Sequence, residues 1–107
     1  MSIFNAVTFV VRPEKQSKAT QLLKELKEHF FNNKEVYKEV KSMNFFTQLY
    51  GGTYGTYVDL EDYDSFTACE EAQKTMEKDE VIMKNYRELI ELVEPSTYSI
   101  NVWKALE

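Results

Sequence analysis

The chain has 107 residues, 13 Lys and Arg against 18 Asp and Glu, and a net charge of −5. That length holds one domain, residues 1–107, and 43% hydrophobic with 29% charged residues is a globular composition rather than a disordered or fibrous one. The acidic balance argues against nucleic acid or an anionic membrane as partner, since both need a basic face, and no run approaches the ~18 apolar residues of a bilayer span.

Ile3 to Val11 is rich in β-branched and aromatic residues and stops at Arg12-Pro13, which predicts the first strand. From Glu14 to about Asn32, Ala19, Leu22, Leu23, Leu26 and Phe30 recur at helical spacing, with Pro13 suited to the first turn and Asn32-Asn33 to the stop. Val40 to Tyr50 reads as a second strand. Gly51-Gly52 then offers a two-residue turn into a third, Thr53 to Leu60, so the two should form a hairpin. Gly55 within the third strand predicts a bulge or the close approach of another backbone.

Asp62-Tyr63-Asp64-Ser65 supplies N-cap choices for a helix carrying Phe66, Cys69, Gln73 and Met76 to about Lys78. Asp79 interrupts or re-caps it, and a second stretch places Ile82, Tyr86, Leu89 and Val93 on one face before Pro95. Ser96 to Leu106 is the last strand, with Tyr98, Ile100 and Val102 on one side and Thr97, Ser99, Asn101 and Trp103 on the other.

The order β, α, β, β, α, β predicts an α+β, ferredoxin-like protomer, a four-stranded antiparallel sheet with its helices on one face. In a monomer the other face would meet water and each strand would alternate cleanly. Here Ile3, Val7, Phe9 and Val11 are answered across the first strand by Phe4, Ala6 and Val10. Leaving such side chains wet forgoes roughly 1.5–3 kcal/mol each. A second copy of the chain is the expected cover, giving a homodimer.

With these features the chain resembles the dimeric α/β-barrel superfamily, nearest its small antibiotic-biosynthesis-monooxygenase and NIPSNAP-like members. The resemblance runs from Phe4-Asn5-Ala6-Val7-Thr8-Phe9-Val10-Val11 through Tyr50-Gly51-Gly52-Thr53-Tyr54-Gly55-Thr56-Tyr57 and Tyr63-Asp64-Ser65-Phe66 to Tyr98-Ser99-Ile100-Asn101-Val102-Trp103. It implies two sheets facing each other in one barrel. Activities in the superfamily range from cofactor-free monooxygenases and isomerases to haem degradation, so the fold does not choose a reaction. In its haem-degrading and quinol-oxidising members an Asn of the first strand, a Trp and a His of the second helical region act together. Asn5 and Trp103 resemble two of these parts, but no His occurs between Asp62 and Val93, and Trp103 is on the last strand.

His29, the single histidine, is a candidate general base or a residue bonded to a neighbouring backbone. Asp59, Glu61, Asp62 and Asp64 crowd the end of the third strand and invite a hard-cation site, yet three of them sit where a helix begins, where caps and the helix dipole already favour acids. They are read as helix-start charges, and no metal and no cofactor is expected. Cys69, the lone cysteine, reads as packing, and its solitude fits a reducing compartment. A soluble, cytoplasmic protein follows, holding a small apolar or aromatic molecule between the helices and the sheet. Asn5, His29, Tyr57, Tyr86 and Trp103 are its expected lining. Two alternatives stand beside it: a cofactor-free monooxygenase or isomerase using His29 and Asn5, and a structural or regulatory interaction module.

Overall fold

The computed structural model describes residues 2–106. Strand β1 (Ile3–Val10) leads through a 3₁₀ turn at Pro13–Lys15 into α1 (Gln16–Asn32). Strands β2 (Ser42–Thr47) and β3 (Thr56–Tyr63) follow, then α2 (Phe66–Glu77), α3 (Glu80–Ile90), a 3₁₀ turn at Pro95–Thr97 and β4 (Ser99–Lys104). The strands form one antiparallel sheet in the order β2-β3-β1-β4. This is the ferredoxin-like α+β plan that the element order predicts.

The helix ends follow local chemistry. Ser65 caps α2 by accepting a hydrogen bond from the Ala68 N–H, and Asp79 caps α3 through Val81 and Ile82. The re-capping expected at Asp79 thus divides the second helical region in two. Helix α3 ends at Ile90, five residues ahead of Pro95, which opens the 3₁₀ turn instead.

The hairpin differs from the expectation. Strand β2 stops at Thr47 and β3 begins at Thr56, so residues 48–55 form a loop rather than a two-residue turn. Gln48 folds back to donate to the carbonyls of Tyr50 and Gly51, and Gly51 and Gly52 both take positive φ. A side chain that bonds its own loop's carbonyls offers the backbone an alternative to the ladder, and so ends the strand early. Gly55 precedes β3 at φ +88, and a Cβ there would lie 2.3 Å from the Val11 carbonyl oxygen. The close backbone approach is real and is held by the Val11 N–H to Gly55 carbonyl bond at 2.9 Å.

One sheet face carries the helices. Ile3, Asn5, Phe9, Tyr57, Asp59, Glu61 and Tyr63 all point to it and are buried. The buried apolar residues fall into three groups rather than one. Phe9, Val11, Leu22, Leu23 and Leu89 form the first, Ile3, Tyr63, Cys69 and Ala72 the second, and Phe30, Tyr37, Met43 and Ile82 the third. Strand β4 is exposed along its whole length. On the opposite face Phe4, Ala6, Val10, Val58, Leu60, Phe46 and Trp103 lie among Ser, Thr, Asn and Asp62, with Trp103 and Asp62 on either side of Phe4. Among the described residues no helix is long and apolar enough to cross a membrane.

Candidate functional site

A cavity of about 670 Å³ lies where the three core groups meet, between the sheet and all three helices. Leu23, Leu26, Phe30 and Leu89 form part of its helix side, and Val7, Phe9 and Met43 part of its sheet side. Ile100 and Val102 line it as well, and their exposure leaves it open along β4.

Its polar end comes from the sheet. Asp59 and Glu61, two apart on β3, present their carboxyls to the same side and are 9% and 4% exposed. Tyr63 donates to Glu61 Oε1 at 2.6 Å, and the Asn5 amide of β1 donates to the same oxygen at 3.4 Å. Burial, reinforced by the adjacent Glu61, pushes the Asp59 carboxyl well above the usual carboxylate range and favours its protonated form. Burial likewise raises Tyr63, Tyr98 and the Cys69 thiol, with Glu61 adding to each. From α3, Asn85 is buried and donates to the Leu22 carbonyl at 2.8 Å.

This arrangement overturns the reading of the acidic run as helix-start charges. Strand β3 continues past Leu60 to Tyr63, and period two puts Asp59 and Glu61 on its buried side. Only Asp64, paired with Lys41 at 3.2 Å, sits in the turn before α2. Among the described residues no His, Cys, Asp and Glu cluster has the makings of a metal site.

Of the five side chains expected to line one cleft, Asn5 and Tyr86 do so. Tyr57 is buried and stacks on Phe9 with ring centroids 5.7 Å apart, its hydroxyl 2.9 Å from Thr20 Oγ1 in a separate depression beside α1. Trp103 lies on the opposite sheet face. His29 is placed away from the cavity lining, with Nε2 2.8 Å from Asp79 Oδ2. Tyr37 donates to that same oxygen at 2.6 Å. Burial alone would raise the Asp79 carboxyl, but the bonds from Tyr37, His29 and the Ile82 N–H bring it below its ordinary value. His29 therefore anchors the α2–α3 junction to α1. Asp59, Glu61, Asn85 and Tyr98 are the polar lining that sequence reasoning missed.

A buried acid costs stability that packing alone would not require. Because the folded state raises its pKa, Asp59 contributes stability that is fully present below its ordinary value of 3.8 and is lost as pH rises through the folded value. The Asp59→Asn variant removes that titration. It is expected to melt higher than wild type at about pH 8, the advantage shrinking towards about pH 4. Thermal melts across that range check it; parallel curves for the two proteins would refute the assignment.

No family model matches the chain, and no curated protein matches its sequence. Solved structures do match its fold. A NIPSNAP family protein from Agrobacterium tumefaciens str. C58 superposes with a TM-score of 0.77 at 14% identity, over 100% of this chain and 95% of that one. A conserved protein from Methanosarcina mazei Go1 gives 0.76 at 15% identity, covering 99% and 94%. An antibiotic biosynthesis monooxygenase gives 0.75 at 12% identity, covering 98% and 99%. The chain thus carries the ferredoxin-like fold of these NIPSNAP and antibiotic biosynthesis monooxygenase structures.

Proposed function

We propose that the protein is a cytoplasmic homodimeric α/β barrel that binds a small, mostly apolar or aromatic molecule in the cavity beneath its helices. The observation that carries this reading is the cavity itself. A chain this short that divides its core round a space of about 670 Å³ gives up packing it could have had. That space is apolar, with a few polar groups converging at one end, which is the pattern of a small-molecule site. The apolar side chains on the outer sheet face support the dimer, since a second copy would hide them. An interaction module without a ligand would have no use for the cavity.

A broad panel of aromatic and quinone compounds should contain members that raise the melting temperature of the purified protein. The same compounds should appear as added mass on the dimer in native mass spectrometry. Failure across the whole panel would sink the reading.

A second reading, a cofactor-free monooxygenase or isomerase, is favoured by one feature. Burial and the neighbouring Glu61 raise the Asp59 carboxyl and favour its protonated form, and a buried carboxyl raised in this way is suited to act as a general acid. In that reading the pair takes the role expected of His29, whose imidazole is engaged by Asp79. Turnover lost in Asp59→Asn and kept in His29→Ala would favour it over binding alone.

A further inference from the structure

The polar end of the cavity is lopsided in hydrogen-bonding capacity. Asp59 Oδ1 and Asn85 Oδ1 are both shut off from solvent and have no partner, on side chains 9% and 7% exposed. Both residues line the cavity. The Asn85 amide nitrogen is fixed on the Leu22 carbonyl, and Glu61 Oε1 is already taken by Tyr63 and Asn5. What is left over is acceptors, and a buried acceptor without a donor is costly.

The ionisable side chains around it are mostly acidic. Besides Asp59 and Glu61 from β3, Glu70 and Glu77 of α2 line the same space. Lys74 is the one basic side chain among the described lining residues, and it pairs with Glu71 at 3.7 Å. Cys69 of α2, Tyr86 of α3 and Tyr98 ahead of β4 are the remaining titratable lining groups, with Tyr63 behind Glu61. The lining residues from α1, β1 and β2 carry no charge.

We propose that this end of the cavity recognises the protonated amino group of an apolar amine, the Asp59 and Glu61 carboxyls facing the ammonium and Asn85 Oδ1 serving as a further acceptor. The inference rests on the small-molecule reading of the cavity and adds the chemistry of the ligand's head. An ammonium offers three N–H donors and no acceptor, which matches the two orphaned oxygens and a carboxyl that can give up its proton. An alcohol has one O–H to give, and a carboxylate has none. The hydrocarbon body fits the apolar remainder of the lining. Without a cation, burial and Glu61 favour the protonated form of Asp59; an ammonium opposes both, so proton release to buffer is expected as the amine binds.

Calorimetry with 4-phenylbutylamine, 4-phenylbutan-1-ol and 4-phenylbutanoate on the full chain tests this, each titrated in buffers of different ionisation enthalpy. The amine is expected to bind about 10- to 100-fold tighter than the alcohol, and the carboxylate weakest. Its heat should change with the buffer, reporting proton release. Asp59→Asn and Glu61→Gln, nearly isosteric and checked for native melting, should each erase most of the preference for amine over alcohol. An amine no tighter than the alcohol, or the same amine heat in every buffer, would overturn the ammonium assignment and leave the cavity reading standing. No binding by any of the three probes would overturn both.

Discussion

Replacing Phe9 by Ala is expected to destabilise the protein by about 3–5 kcal/mol, the range for deleting a buried aromatic from a core that cannot close over the gap. Phe9 is 1% exposed and stacks between Tyr57 at 5.7 Å and Tyr98 at 6.4 Å, so its ring fixes one residue from β3 and one from the approach to β4. Both flanking rings are held elsewhere. Tyr57 donates to the Gln16 carbonyl at 3.3 Å, and Tyr98 lies against Tyr86 with centroids 6.4 Å apart. Neither can swing in to fill the hole. Phe9 also lines the existing cavity, so its removal enlarges a space that is already there. Denaturant unfolding of the variant checks it; a loss below about 1 kcal/mol would mean the site relaxes freely.

Leu60→Asp is expected to convert the proposed dimer to a monomer with its fold retained. Leu60 lies on the outer sheet face, opposite Ala6 on β1 and Asn44 on β2, near the centre of the surface proposed to meet a second copy. A carboxylate there is solvated in the free protomer and buried without a partner in the dimer. The penalty of about 3–5 kcal/mol for each uncompensated buried charge falls on association alone, weakening it by about 10²- to 10⁴-fold per substituted copy. Sedimentation equilibrium of wild type and variant at micromolar concentration reads this directly. A wild-type chain that is monomeric and well folded there would overturn the dimer, and an unchanged variant would place the interface elsewhere.

The fold was legible because it follows from periodicities that tertiary context seldom overrides. Helix α1 announces itself through Ala19, Leu22, Leu23, Leu26 and Phe30, and the greasy outer face through Phe4, Ala6 and Val10 alternating with Ile3, Val7 and Phe9. The site was less legible for a specific reason. In Thr56-Tyr57-Val58-Asp59-Leu60-Glu61-Asp62-Tyr63 the apolar Val58 and Leu60 face outward with Asp62, while the Asp59 and Glu61 carboxyls face the helices. This inverts the usual rule that acids in a strand point to water. The strand expectation ended at Leu60, where acids became frequent, and so cut the pattern before Tyr63 could show that Asp59 and Glu61 share a face with two tyrosines. Asn85 left no comparable signal: a single amide between Lys84 and Tyr86 looks like any polar helix position until α1 is packed over it.

His29 and Trp103 show the opposite error. Each is the only residue of its type and carries chemistry that draws attention, but rarity in a sequence says nothing of where a side chain points. His29 lies beside the apolar stripe of α1 and meets Asp79, and Trp103 has the parity of Phe4 rather than of Asn5. Strand parity alone would have sorted Trp103, since Ile100 and Val102 take the cavity side of β4.

The claim on which the account turns is that the space beneath the helices takes up an apolar molecule, and titration with the uncharged fluorophore N-phenyl-1-naphthylamine tests it most directly. Saturable binding at one site per chain is expected for wild type. That binding should be lost in Ile100→Trp, whose indole would fill the mouth from an exposed position on β4 where the fold tolerates it. Absence of saturable binding, or binding unchanged by the filled mouth, would contradict the account.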